Sequence, residues 1–279
     1  MTNDYLTNII EREYSKKGIS LFKGASGKPC TEPLLQLSPN QEQSLLAGYG
    51  HIGKKDEYKQ INSSTGLAVN YFKLAEYCGH VQRLSFEDKV AVPLVSANKS
   101  ANLDVSFYKA DHHYFVESKF LEPYYDGVKK NVASYTSDES KYPNEVREHV
   151  KEWIDLFKEA DSFKIYNVPQ LCRHMLAIYR YSYIHNFNEK ITLVSVIWKV
   201  TETFLNLINE ERLKTEINDR LRKLLDEERI CHKLLQEFIK KINWKNMSFE
   251  AKSYNDEDVI SAIKEAKEYK DFTRRYFLG

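Results

Sequence analysis

The chain has 279 residues, of which 42% are hydrophobic and 13% aromatic, so it can fold around a large core and is not a disordered protein. Its 41 basic and 40 acidic residues nearly cancel, which argues against a protein that coats nucleic acid through net charge alone. The longest apolar run, residues 191–198, is too short to cross a bilayer, and the N-terminal segment lacks a signal-peptide pattern. We therefore expect no membrane association.

The four cysteines are widely spaced and form no CxxC pair, a pattern typical of free thiols in a reduced cytoplasmic protein. Cys172 with His174, or Cys231 with His232, could begin a zinc site. Neither has a second ligand pair at suitable spacing, so zinc is disfavoured. The sequence predicts a cytoplasmic location.

The first 60 residues predict a helical N-terminal addition. Residues 4–14 carry apolar side chains at helical spacing, and Pro39 is placed to begin a second helix. The glycines and lysines of residues 23–29 superficially resemble a phosphate-binding loop. Their spacing is too short and Pro29 replaces the required hydroxyl residue, so a plain loop is favoured.

A largely apolar helix is predicted from Ser63 or Ser64, either of which can cap it, to about Tyr77. Such a helix is typical of one that packs on a sheet. The β-prone run at residues 90–95 then indicates an edge strand, because Pro93 cannot donate to a central ladder.

Two strands joined by a tight turn follow, at about residues 102–109 and 114–120. Both alternate apolar and polar side chains and are rich in Val, Phe and Tyr. Asp111 is a common turn former between them. We therefore predict a β-hairpin at the centre of the fold.

The register of this hairpin decides which charged side chains meet. A turn centred near residues 111–112 places Asp104 opposite Lys119 and Ser106 opposite Glu117, which puts Asp104, Glu117 and Lys119 on one face. Two carboxylates and an ammonium group at such a place are costly unless something binds there. The alternative is a solvated hairpin face with a surface ion pair.

Two close carboxylates suit Mg²⁺, which binds through one or two carboxylates, several waters and substrate phosphates. Mn²⁺ is expected to substitute. Such a cation polarises a phosphodiester and lowers the pKa of water. Lys119 could orient that water, deprotonate it, or offset charge on the phosphate.

The pattern Asp104-x(12)-Glu117-x-Lys119 resembles the PD-(D/E)xK nuclease superfamily, although Leu103 replaces the usual proline before the aspartate. Five segments in the same order are similar to a group of bacterial restriction-endonuclease-like proteins, over about residues 62–199. These segments are 63–72, 101–105, 116–120, 122–123 and 170–174.

The resemblance implies roles for further residues. It implies that the main-chain carbonyl of Ser118 helps to hold the metal and that Gln170, on a later helix, assists catalysis. It also implies an acid on the helix before the sheet, for which Glu76 is the candidate, with Glu57 and Glu42 as competitors. A solvated Glu76 is the alternative.

Candidate contacts to nucleic acid follow the hairpin. Residues 123–144 predict a long surface loop, where Lys129 and Lys130 could meet phosphates or simply be solvated. Arg173 lies in the first turns of a helix predicted from Pro169 and could contact the backbone of a nucleic acid as a fork donor. For His174 an ordinary hydrogen bond is the favoured interpretation.

The rest of the chain predicts a helix at residues 144–160, a buried strand at 191–200 and a long helical segment at 201–241, broken near Asn218 or Asp226. An edge strand at 247–254 and a closing helix at 256–272 complete the chain. The edge strand repeats the Glu-x-Lys spacing at Glu250 and Lys252, but no strand bearing an aspartate precedes it.

We therefore predict one α/β domain with a restriction-endonuclease-like core at residues 62–200, a small mixed sheet flanked by helices. Residues 1–60 and 201–279 form helical additions. The predicted function is an Mg²⁺-dependent DNA endonuclease, for which the resemblance implies a role in restriction or anti-phage defence, and a homodimer or a partner defence protein is compatible with the sequence. A nuclease acting on RNA and a non-catalytic interaction module on a nuclease-like core are the alternatives.

Overall fold

A computed structural model describes residues 3–48, 56–93, 100–128, 143–159 and 162–278. Its strands in chain order are β1 (Phe22–Lys23), β2 (Pro29–Cys30), β3 (Gln82–Pro93), β4 (Ser100–Lys109), β5 (His112–Lys119), β6 (Lys190–Ile197) and β7 (Met247–Ser253). The last five form one mixed sheet in the order β3-β4-β5-β6-β7. Strands β3, β4 and β5 pair antiparallel, whereas β6 pairs parallel with both β5 and β7.

Helices cover both faces of this sheet. In chain order they are α1 (Asn3–Lys16), α2 (Pro39–Gly48), α3 (Ser64–Tyr77), α4 (Glu122–Tyr125), α5 (Asn144–Lys158), α6 (Val168–His185), α7 (Glu202–Asn206), α8 (Glu211–Lys241), α9 (Glu257–Ser261) and α10 (Tyr269–Tyr276). The predicted α/β architecture is confirmed.

Two apolar clusters fill the space between the sheet and these helices. Val116 and Val194 pack with α1, α3 and α10 on one face. Their neighbours Phe115 and Leu193 pack with α5, α6 and α8 on the other. Consecutive residues of β5 and β6 therefore point to opposite faces, as expected for strands buried on both sides.

The local signals at several element ends act as the sequence indicates. The Ser63 hydroxyl accepts a hydrogen bond from the Gly66 amide at 3.1 Å and so caps α3. Strand β3 is an edge strand that ends at Pro93, but it begins at Gln82, earlier than predicted. Strand β7 is the opposite edge, also as predicted.

The hairpin turn is shorter than the sequence suggests. Lys109 pairs directly with His112, which leaves a two-residue turn in which Ala110 has a φ of +55°. Two-residue hairpins favour such positive φ values because their twist matches that of the strands. The turn is therefore centred one residue earlier than predicted.

This shorter turn changes the register. Val105 pairs with Val116 and Ser106 pairs with Phe115, and the ladder ends one residue before Asp104. The predicted register was wrong by two residues, because Ser106 lies opposite Phe115 and not opposite Glu117, and the predicted pair of Asp104 with Lys119 is not formed. Asp104 still approaches the residues around Ser118, because its carboxylate accepts a hydrogen bond from the Ser118 amide at 2.6 Å.

The alternation of β4 breaks at Asp104. Leu103 and Val105 are two residues apart but pack in opposite apolar clusters. On the neighbouring strand Glu87 has a φ of +50°, a conformation that disrupts regular pleating. The predicted regular alternation therefore fails at the position of the first candidate metal ligand.

The C-terminal helices are interrupted where apolar side chains turn into the core. The break in segment 201–241 separates α7 from α8 around buried Ile208, not at Asn218 or Asp226. The predicted closing helix is instead two short helices, α9 and α10, with buried Ile263 between them.

The four cysteines are free, and Cys30, Cys172 and Cys231 are buried. No helix within the described ranges is both long and apolar enough to cross a membrane.

Candidate active site

Glu117 lies at the centre of a buried polar group between β5 and α6. The residue is only 3% exposed, and each carboxylate oxygen has a partner. Its Oε1 pairs with the ammonium group of Lys119, two residues along the same strand. Its Oε2 is 3.0 Å from the Nε2 of His174, which is itself 2% exposed. The side chains of Glu117 and Lys119 therefore share the face of the sheet that α6 covers.

Asp104 reaches the same place from the neighbouring strand. The β4–β5 ladder ends at Val105 and Val116, and beyond it the Ser118 amide donates to Asp104 Oδ2 at 2.6 Å. If the β4–β5 ladder continued, a backbone carbonyl of β4 would accept this hydrogen bond from Ser118, and here the carboxylate of Asp104 accepts it instead. The strands separate at this point and leave room for charged side chains.

The opposite side of β5 fixes Ser118. Its hydroxyl lies 3.3 Å from the carbonyl oxygen of Ser64, at the start of α3, and 2.9 Å from the Tyr254 hydroxyl. The Lys119 carbonyl accepts from the Trp198 amide at 2.9 Å and so faces β6. Since backbone groups of successive strand residues point to opposite neighbours, the Ser118 carbonyl faces the gap beside Asp104.

Glu87 is a third carboxylate that the sequence did not point to. It lies on β3, is 8% exposed, and accepts from the Asn102 side chain and from Thr65 Oγ1 at 3.4 Å. Its charge raises the pKa of Asp104, which places it within electrostatic range of the hairpin acids. Only the pairing of β3 with β4 reveals this, because the edge strand has no motif of its own.

The three carboxyl groups have very different proton affinities. Burial and the charge of Glu117 raise the pKa of Asp104 well above its ordinary value, and burial likewise raises the pKa of Glu87. Burial would also raise the pKa of Glu117, but Lys119 and the hydrogen bond from His174 outweigh it and lower that pKa to about 2. Glu117 is therefore the fixed negative charge of the group.

Lys119 remains a cation. Burial acts to lower its pKa, but the charges of Glu117, Asp104 and Glu122 hold that pKa well above its ordinary value. The lysine can therefore donate hydrogen bonds and neutralise negative charge at physiological pH.

The donor set fits a hard divalent cation. Burial, and after it the charge of Glu117, raises the pKa of both Asp104 and Glu87, and a nearby cation offsets both effects. Among the residues that the structure describes, no group of three His, Cys, Asp or Glu side chains forms a ready-made metal cage. Mg²⁺ does not need one, because it keeps several waters and binds through one or two carboxylates.

A cavity of about 200 Å³ opens at Glu117 and Lys119. Glu117 and Lys119 lie in its floor, beside Ser195 of β6. One wall is the segment that includes α4, residues 122–128, and the other is the segment that leads into α6, residues 165–167. Glu117 and Lys119 are therefore the members of the charged group that a small ligand, or part of a larger one, can reach.

Helix α6 brings His174, not Gln170, to Glu117. The Gln170 side-chain carbonyl accepts from Asn167 Nδ2 at 2.7 Å, and the Gln170 amide donates to Asn167 Oδ1 at 3.3 Å. Gln170 thus lies at the N-terminal cap of α6, next to a cavity-lining residue. Arg173 is half-buried on the same helix. The favoured interpretation of His174 as an ordinary hydrogen-bonding residue overlooked that its partner is Glu117.

Glu76 is not brought to this group. It pairs with Lys73 and accepts from Gln41 Nε2 at 3.3 Å, near the C-terminal end of α3. Ser64, at the other end of that helix, is the residue that touches the hairpin, and 12 residues of helix span roughly 18 Å. Lys129 and Lys130 lie outside the described residues.

A central mixed sheet with two carboxylates and a lysine on its middle strands defines a protein with a restriction-endonuclease-like core. The chain belongs to the family described as Restriction Endonuclease associating with ARP, whose sequence profile matches residues 29–277. A search of curated proteins found no match, and neither did a search of solved structures.

Proposed function

We propose that this protein is a PD-(D/E)xK-type nuclease that hydrolyses phosphodiester bonds of DNA with the help of Mg²⁺, in restriction or anti-phage defence in the cytoplasm. One observation carries the proposal: Glu117 and Lys119 form an ion pair in the floor of an open cavity, and Asp104 of the neighbouring strand accepts a hydrogen bond from the amide of Ser118 between them. The membership of a restriction-endonuclease family supports it.

Asp104, Glu117 and the carbonyl of Ser118 would hold the cation. When bound, Mg²⁺ supplies charge that polarises the phosphodiester and makes a water easier to ionise. The raised pKa values of Asp104 and Glu87 support this assignment, because both acids would ionise more readily beside a cation.

Lys119 acts as a cationic hydrogen-bond donor. Its pKa is held above the ordinary value, which favours orienting the water and offsetting negative charge on the phosphate over removing a proton. His174 holds the second oxygen of Glu117 and so fixes the direction of that carboxylate. Gln170 assists at the edge of the cavity, next to Asn167.

A non-catalytic interaction module is the second candidate. It is favoured by the fact that Lys119 and His174 already occupy both oxygens of Glu117. The two candidates differ in one respect that can be measured. Only the nuclease must replace at least one of these contacts to Glu117 with a contact to a cation.

The test is plasmid and RNA cleavage by wild type with Mg²⁺ or with a chelator, beside Asp104→Asn and Lys119→Met. The matched control is Lys252→Met, because Glu250 and Lys252 repeat the same spacing on β7. We expect Mg²⁺-dependent DNA cleavage that is lost in both site variants and kept in the control. Cleavage of RNA alone would reassign the substrate, whereas no cleavage by wild type would favour the interaction module.

A further inference from the structure

The side chain of Glu227, on α8, binds the backbone of one wall of the cavity. Its carboxylate accepts from three consecutive amides: Lys164 at 2.8 Å, Ile165 at 2.8 Å and Tyr166 at 2.7 Å. The residue is 5% exposed, and Lys223 Nζ is 3.9 Å from its Oε1. Three adjacent amides that point to one place form an anion-binding concavity, and here a side chain of the same protein occupies it.

Arg220, seven residues earlier on α8, holds the other wall. Its Nε donates to the Pro123 carbonyl at 2.8 Å, and its Nη2 donates to the Asp126 carbonyl. The guanidinium group thus bridges two carbonyls of the segment that contains α4, with the fork geometry that arginine offers. Residues seven apart lie on the same side of a helix, so one face of α8 contacts both walls.

The two walls also touch each other. The Val128 amide donates to the Lys164 carbonyl at 3.2 Å, so the segment held by Arg220 is joined to the segment held by Glu227. Neither Arg220 nor Glu227 lines the floor where Glu117 and Lys119 lie. Arg220 and Glu227 contact the backbone of the walls, so these contacts do not depend on which side chains the walls carry.

We propose that Arg220 and Glu227 are positioning residues for substrate: together they fix the separation of the two cavity walls and so govern how tightly a nucleic-acid strand is held over Glu117 and Lys119. This inference rests on the proposed nuclease function and adds to it a determinant of substrate binding about 100 residues away in sequence. The contacts of Glu117 with Lys119 and His174 do not involve the walls. Loosening the walls should therefore weaken substrate binding more than it lowers kcat.

The experiment compares wild type with Glu227→Gln and Arg220→Lys, with Asp226→Asn as the matched control. Asp226 is the next residue on α8 and its side chain is 68% exposed. Amide hydrogen exchange at residues 164–166 and 128 reports on the walls, with the amides of β6 as internal reference. KM and kcat for cleavage of a short DNA duplex report on function, and the Kd of the same fluorescently labelled duplex in chelator reports on binding without turnover.

In Glu227→Gln we expect exchange at residues 164–166 to accelerate at least ~10-fold, which corresponds to a local loss of about 1.4 kcal/mol. KM and Kd should rise by a similar factor while kcat changes less than ~3-fold, the pattern of lost uniform binding. Arg220→Lys keeps the charge and should speed exchange at Val128 and raise KM in the same direction. Asp226→Asn should match wild type in every measurement.

Unchanged amide exchange in both variants would overturn the proposed positioning role of Arg220 and Glu227. Faster exchange with unchanged KM and Kd would overturn it as well. If Glu227→Gln does not fold, Arg220→Lys tests the opposite wall by the same measurements. A wild type that neither cleaves nor binds the duplex would instead overturn the proposed nuclease function, and the positioning role with it. A wild type that cleaves normally, with variants that match it, would overturn the positioning role alone.

Discussion

Replacing Asp104 by Asn should stabilise the protein when no divalent cation is present. Burial and the charge of Glu117 raise the pKa of Asp104, so the folded state binds a proton at this site more tightly than the unfolded state. Stability contributed by this group therefore falls as the pH rises above the ordinary carboxyl range. Asn keeps an oxygen that can accept the hydrogen bond from the Ser118 amide.

The size of the effect follows from the pKa shift. One pKa unit corresponds to about 1.4 kcal/mol of differential interaction. Because Asp104 is only half-buried as a residue and keeps one good hydrogen bond, we expect the variant to gain on the order of 1 kcal/mol at neutral pH. In a protein of this size that raises Tm by roughly 2–4 °C. Near pH ~3 the carboxyl is protonated in both states and the gain should vanish.

Thermal unfolding with chelator and with Mg²⁺ provides the assay. In excess Mg²⁺ the wild type should gain stability by about 2.7 kcal/mol at 100 times the Kd, and Asp104→Asn should gain little. Asp258→Asn is the control of opposite sign, because the hydrogen bond from Lys252 lowers the pKa of Asp258. An Asp104→Asn variant that melts below wild type in chelator at pH 7 would refute the reasoning, since the carboxylate would then stabilise the fold.

Substitutions at three other positions test separate parts of the structure. Gly66→Ala should destabilise the protein by about 1–3 kcal/mol in chemical denaturation although alanine favours helices, because a Cβ at Gly66 would lie 2.4 Å from the Tyr58 carbonyl oxygen; equal stability would show that α3 can shift. Burial lowers the pKa of His113 to about 4, so the unfolded state binds more protons between pH ~4 and ~6.5, and stability should rise with pH there; His113→Gln should flatten that slope in unfolding titrations, and an unchanged slope would assign it elsewhere. His174→Ala should lower kcat of DNA cleavage at least ~10-fold and His174→Gln should restore part of it, because an amide can still donate to Glu117; equal loss in both variants would contradict the positioning role of His174.

Local patterns in the sequence determined the elements that surround the candidate site. Period-two alternation predicted the hairpin strands, and the continuous apolar run at residues 191–198 predicted a strand buried on both faces. Ser63 marked the start of α3 because a hydroxyl at that position satisfies a free amide of the first turn. The spacing of Glu117 and Lys119 placed both on one face, since that depends only on the pleat of a single strand.

Contacts between distant segments were decided by the tertiary structure. The break in alternation at Asp104 is accompanied by a positive φ at Glu87 on the neighbouring strand, and no pattern within the hairpin reveals it. Glu87, His174 and Glu227 each acquire their partners from another element, across 15 to 63 residues of chain. From sequence alone, a charged residue on a helix is predicted to be solvated, because the sequence of the helix does not show which backbone amides the fold will bring to it. Segments far apart in sequence meet through burial of apolar area over the whole sheet, and that packing fixes which carboxylates share one place.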